Sequence, residues 1–335
     1  MSGALREHDE LMRIVESGRG RLELRTLCEV ADGERRHPVC AVMVGNRAPD
    51  APAVGFFGGV HGLERVGTHV LLGFLEWLLA REEDEEIRGL LSQVRLVFMP
   101  VVNPAGMRRN TRSNANGVDL MRNAPVNSPG RATFMLGGQR LSRKLPWFRG
   151  GAEGPMEAES HALCDLVRRE LLPRPFSLAL DCHSGFGLRD RIWFPYARTR
   201  EPFPHVAEVH ALAARFTALY PEHTYLFEPQ SRRYLAHGDL WDHLCAERRK
   251  ESVFLPLTLE MGAWRWIRKS PRQALSKIGF FNPLPPDRLE RVRRNHLAWL
   301  RFLCSAARDF QRWLPSGEHR LRHERLGLAS WFGRA

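Results

Sequence analysis

The chain has 335 residues, of which 43% are hydrophobic, so a large core is available and wholesale disorder is excluded. Its formal net charge is +12, from an arginine excess spread along the chain. No aromatic-interleaved basic motif or helix-turn-helix signature accompanies that charge, so the composition reads as solvated arginine faces and not as a specific nucleic-acid surface. No apolar run approaches the roughly 18 residues that span a bilayer. The segment Met1–Glu10 is polar and has no apolar signal-peptide core, which predicts a cytoplasmic protein. Six scattered cysteines without a C-x-x-C pair read as reduced thiols in that compartment.

Residues 21–30 and 39–45 read as strands, followed by a buried strand over 53–60 that contains Val54, Phe56 and Phe57. Leu71, Leu72, Leu75, Leu78 and Leu79 recur at helical spacing and predict a helix over 66–79. A further buried strand, 94–100, is closed by the Asn103-Pro104 turn signal. Residues 104–155 are rich in Gly, Asn and Arg, with little periodicity; connections that long are usually functional or disordered. Then come a helix over 156–171, strands over 177–182 and 192–196, a helix near 205–219, a strand over 253–259 and a helix over 286–313. Strands alternating with helices argue for an α/β sheet covered on both faces. A single domain over 1–335 is expected, with its core at about 21–313 and 314–335 as a basic tail wrapping the surface.

The chemistry starts at Gly58-Gly59-Val60-His61-Gly62-Leu63-Glu64, which sets an imidazole and a carboxylate three positions apart just beyond a buried strand. Catalytic zinc sites are commonly built from such a short-spaced pair, a distant third ligand and an open position for water. His183, in Asp181-Cys182-His183-Ser184, stands at another predicted strand end, where ligands of α/β sheets gather. Glu260 is a lone carboxylate in an otherwise apolar strand, and a buried Glu requires either an arginine partner or a role in proton transfer. The long loop supplies cations in Arg108-Arg109-Asn110-Thr111-Arg112, suited to carboxylate recognition or to oxyanion stabilisation.

Together these pieces resemble the zinc carboxypeptidases, the carboxypeptidase A/B-like metallopeptidases. The matching set, in family order, is His61/Glu64, the Asn103-Pro104-x-Gly106 turn, the arginine stretch, Gly117-Val118-Asp119-Leu120-x-Arg122-Asn123, His183-Ser184 and Glu260. More narrowly, the chain looks like a bacterial branch without a pro-segment. The resemblance implies a three-layer α/β/α sandwich around a mixed, roughly eight-stranded sheet. It implies one zinc ion on His61, Glu64 and His183, with Glu260 as general base and then general acid. It further implies that Arg109 polarises the scissile carbonyl and that Arg122 holds a terminal carboxylate, with Asn123 nearby; Arg112 and Tyr234 are further candidates for substrate contact. Asp181 is a candidate partner for His183.

Two positions depart from the pattern. Met121 stands where an Asn is common. The family's substrate-binding Tyr is expected just after an Asp-Trp pair, but counting on from Asp242 reaches Cys245, leaving Tyr234 or His237 as substitutes. The expected substrate is a peptide or an acyl-amino acid with a free carboxylate. An N-acyl amino acid amidohydrolase and a non-catalytic binding protein on the same scaffold are the alternatives.

Overall fold

A computed structural model describes residues 5–334. Eight strands form one mixed sheet: β1 (Glu23–Asp32), β2 (Arg35–Gly45), β3 (Ala53–Gly58), β4 (Arg95–Met99), β5 (Phe176–Ser184), β6 (Arg191–Phe194), β7 (Leu226–Pro229) and β8 (Val253–Met261), in the order β1-β2-β4-β3-β5-β8-β6-β7. The middle four, β4, β3, β5 and β8, run parallel, so their carboxyl ends share one edge. Every residue of β3, β4 and β5 is buried, as expected for parallel strands covered on both faces.

Neighbouring side chains of β3 show the layering directly, because successive residues of a strand point to opposite faces. Phe56 packs edge-on against Phe74 of helix Arg65–Leu79, with ring centroids 5.4 Å apart. Phe57 packs against Trp241 of helix Leu240–Glu247 at 5.1 Å. Helix Pro286–Arg308 lies beside the first of these helices, and Ala158–Glu170 beside the second. The α/β/α sandwich on a mixed eight-stranded sheet is therefore as expected.

The differences fall where local patterning is weak. A helix over Arg6–Ser17, strand β7 and helix Leu240–Glu247 were not expected; the first is rich in charge, and only Leu11 and Ile14 of its apolar residues are fully buried in the core. The helix expected over 286–313 breaks at Asp309 into Pro286–Arg308 and Phe310–Trp313. The segment 314–334, expected as a basic tail on the surface, is largely helical. Gly317–Phe332 is a helix laid along Val206–Leu219, with Trp331 against Phe194 at 4.6 Å. In the Trp264-Arg265-Trp266 segment, Trp266 is buried and Trp264 is exposed.

His296, in the covering helix, is fully buried, with its Nδ1 2.7 Å from the Tyr225 hydroxyl. Burial pushes its pKa down to about 4. The folded value lies below the unfolded one of about 6.5, so the unfolded chain binds the extra proton. Stability is thus intact above that value and falls as pH drops through the window down to about 4. Between pH 7 and 4 this site removes roughly 3 kcal/mol. Urea unfolding of wild type and His296→Gln at both pH values should show the wild type losing that much more than the variant.

Candidate active site

Strand order places the candidate residues side by side. In the parallel pairing Phe57 sits opposite Asp181, and His183 sits opposite Glu260. The chain leaving β3 delivers His61 and Glu64 onto the same edge, with Glu64 directly before helix Arg65–Leu79 and its carboxylate turned to the site and not to the helix end. One ligand atom from each of His61, Glu64 and His183 lies within 4.8 Å of the other two, and all three residues are buried.

This loop is held from several sides. Asn103 donates through Nδ2 to the Val60 carbonyl and accepts through Oδ1 from Gly106 N–H, joining the turn after β4 to the histidine segment. Gly62 meets Gly106 back to back; a Cβ at Gly62 would lie 2.0 Å from the Gly106 carbonyl carbon. Asn282 donates to the Leu63 carbonyl at 2.7 Å and accepts from Val66 N–H at 2.8 Å, gripping the backbone on both sides of Glu64. Sequence reasoning missed Asn282; it lies more than two hundred residues away, and only tertiary structure brings it here.

Glu64 Oε2 is 3.0 Å from His183 Nδ1 and accepts from Ser184 N–H. His183 Nε2 lies 2.8 Å from Asp181 Oδ2, which also accepts from Trp241 Nε1–H. Residues i and i+2 of a strand share a face, so Asp181 is the neighbour of His183 that the sequence proposed. Burial disfavours a charged imidazole at both histidines, but the two diverge. His61 is driven low by burial and then by the Arg112 cation. At His183 burial is outweighed by the Asp181 and Glu64 carboxylates, which carry its pKa well above the ordinary range. His61 Nδ1 is buried without a hydrogen-bond partner, and His183 turns its Nδ1 toward Glu64 while Asp181 holds its Nε2. A divalent cation answers this donor set: a buried nitrogen short of a partner, a second imidazole oriented by a carboxylate, a carboxylate between them and matching ligand types.

Glu260 lies at the end of β8 and accepts from Phe186 N–H at 3.0 Å. Burial, and then the nearby Glu64 charge, push its pKa up to about 8. It has no arginine ion pair among the described residues, which removes the structural alternative for this buried acid.

The arginines separate sharply. Arg109 points away from the site; its guanidinium pairs with Asp32 beside Arg108 and donates to the Ala115 carbonyl. Asn110, in the left-handed conformation at φ 53°, ends helix Pro104–Arg109 and turns the chain. Two residues on, Arg112 enters the site. Its Nε donates to Asp119 at 2.8 Å, Nη2 lies 2.7 Å from His61 Nε2, and Nη1 lies 3.3 Å from Glu64. Arg112 therefore occupies the place expected of Arg109.

Arg122 is 1% exposed and makes no ion pair among the described residues. Its Nη2 donates to the Tyr234 hydroxyl at 3.3 Å, and its Nε is buried without a partner. Gly238, at φ +69°, allows the close approach that holds this segment; a Cβ there would lie 1.9 Å from the Arg122 carbonyl oxygen. Tyr234 lies before the Asp239–Asp242 segment and not after it, while Cys245 is buried inside the helix. Asn123 is not in the pocket: its amide donates to the Arg149 carbonyl and accepts from Glu157 N–H, bracing the long loop. His61, Glu64, His183, Glu260, Arg112, Arg122 and Tyr234 all open onto one cavity of about 250 Å³. Met121, Gln230 and Asp239 line it too, with Leu136 and Trp147 contributed by the long loop.

Comparison with known proteins agrees with this picture. The sequence model of a family described as zinc carboxypeptidase matches residues 7–252. Carboxypeptidase E of Caenorhabditis elegans is 28% identical over 182 residues, covering 49% of this chain and 37% of that protein. The carboxypeptidase N catalytic chain of Rattus norvegicus is 29% identical over 174 residues, covering 47% and 35%. The matched stretches thus span little more than a third of these relatives. Among solved structures, carboxypeptidase A from Helicoverpa armigera superposes with a TM-score of 0.67 at 18% identity, covering 89% of this chain and 71% of that one. Thrombin activatable fibrinolysis inhibitor gives 0.67 at 20%, covering 90% and 73%. At such identities the likeness speaks for the fold.

Proposed function

Since the chain belongs to the zinc carboxypeptidase family, we propose that it is a metallocarboxypeptidase, hydrolysing the amide bond next to a free terminal carboxylate. The observation that carries this reading is Arg122: a buried guanidinium with no ion pair among the described residues, opening into the same cavity as the His61/Glu64/His183 set. A buried charge that makes no direct ion pair is costly, and an incoming carboxylate supplies one.

Held by His61, Glu64 and His183, zinc would contribute Lewis acidity and an acidified water at neutral pH. Arg122 and the Tyr234 hydroxyl bind the substrate carboxylate and so place the adjoining amide at the cavity centre. Glu260, buried and poised near neutrality, takes the proton of the attacking water and returns it to the leaving nitrogen. Arg112, oriented by Asp119, faces the charge that develops on the carbonyl oxygen.

The test is a panel of blocked dipeptides with free C-termini, their C-terminal amides, and N-acyl amino acids, assayed before and after chelation and with zinc restored. Free-carboxylate dipeptides should be cleaved, their amides much more slowly, and chelation should stop the reaction until zinc returns. Preference for the N-acyl amino acids would support the amidohydrolase alternative, and zinc-loaded protein with no hydrolysis would support a binding protein. In the same assay Arg112→Ala should lower kcat by about 10²–10³-fold. Arg109→Ala should leave kcat within about twofold, its effect being on stability through Asp32.

A further inference from the structure

Helix Gly317–Phe332 meets helix Val206–Leu219 along a seam where three histidines gather. Gly327 allows the approach; a Cβ there would lie 3.1 Å from Val206 Cγ2 and 3.4 Å from His210 Cβ. His319 and His323 are four residues apart and so share one helix face, with ring centroids 4.7 Å apart. His210 comes from the opposite helix. Its Nδ1 lies 2.8 Å from His323 Nδ1.

Two ring nitrogens cannot face each other at that distance with both lone pairs bare. Either one nitrogen carries a proton donated to the other, or a cation binds both. A neutral imidazole keeps one ring nitrogen with a lone pair to offer a cation. Arg320, on the same helix, is already paired with Glu208 and Glu324.

We propose that His210 and His323, with His319 as third donor, form a second divalent-metal site that clamps the C-terminal helix to the body of the protein. Imidazole donors select zinc, copper or nickel over magnesium or calcium. Tetrahedral zinc with bonds of about 2.0–2.1 Å separates two nitrogens by roughly 3.3 Å, so the pair need open only about half an ångström from its observed spacing. His319 is exposed, with its ring 4.7 Å from that of His323; its nitrogens are not gathered with the other two as observed, so the proposed third bond requires a change of its rotamer. Water completes the coordination. The cluster shares no residue with the catalytic cavity, so the site does not depend on the proposed hydrolysis. Its consequence is mechanical: Trp331, on the same helix, covers Phe194 of β6, next to β8.

The test is zinc stoichiometry. Full-length protein stripped by chelator is titrated with zinc chloride against a chromophoric indicator, alongside His210→Gln and His323→Gln. Wild type should bind one zinc more per chain than either variant, or the variants should bind that ion at least about tenfold more weakly. Peptide hydrolysis should be unchanged in both variants, and the rise in Tm produced by the additional zinc should disappear. Equal stoichiometry and affinity in wild type and in either variant would overturn the proposal, leaving a simple hydrogen bond between two imidazoles.

Discussion

Glu260→Gln leaves a protein that takes up zinc and binds substrate but no longer hydrolyses it. The substitution preserves the shape of the side chain and can still accept from Phe186 N–H, so the fold has no reason to change. What is lost is a group that can take and return a proton. The burial that raises its pKa to about 8 is what makes it useful, because proton transfer is most efficient when the catalytic pKa lies near the working pH. The expected effect is a fall in kcat of about 10²–10⁴-fold, with KM within a few-fold. It is read from steady-state kinetics on a blocked dipeptide, beside the zinc content of the same preparation. Retention of wild-type kcat by a zinc-loaded Glu260→Gln enzyme would rule out the proton-shuttle role.

Arg122→Met separates recognition from stability. Methionine fills much of the same volume without the charge, so the substrate carboxylate loses its partner while the protein loses a buried cation that makes no ion pair among the described residues. Removing one member of a buried charge pair costs about 2–5 kcal/mol in binding, which predicts a fall in kcat/KM of about 30- to 5,000-fold. The advantage of free over amidated C-termini should collapse with it. Urea unfolding in the absence of substrate should show the variant to be more stable by about 1 kcal/mol, since an uncompensated buried charge works against folding. A variant that kept its preference for free carboxylates would place carboxylate recognition elsewhere. One that was less stable would show that Arg122 holds the fold together and is not kept for its ligand.

The two substitutions probe residues of different legibility. Glu260 could be picked out from sequence because a lone acid in an apolar strand is chemically conspicuous, and because strand direction fixes where its end must lie. Arg122 stood in a recognisable Gly117–Asn123 motif, but its lack of a counter-ion is a fact of tertiary packing. Arg109 and Arg112 show how such reasoning fails. Both belong to the same basic stretch, and composition cannot choose between them. The choice rests on Asn110, whose left-handed backbone ends a short helix and redirects the chain. An Asn following a Pro-initiated helix was a usable signal. Asn123 misled for a related reason: it adjoins a substrate arginine in sequence, yet its amide is consumed by Arg149 and Glu157.

By itself the sequence pointed to seven of the eight strands, to His61, Glu64 and His183 as a candidate donor set, and to Glu260 as a conspicuous acid. These depend on properties that travel with local patterning: buried strands, their direction and the residue types at their ends. Tertiary structure decided which arginine faces the donors, which tyrosine touches Arg122, that Asn282 grips the Glu64 loop, and that the last helix brings His319 and His323 to His210. Each of those outcomes turns on the direction of a side chain leaving a loop or a short helix. That direction is set by contacts with residues far along the chain, which no local pattern encodes.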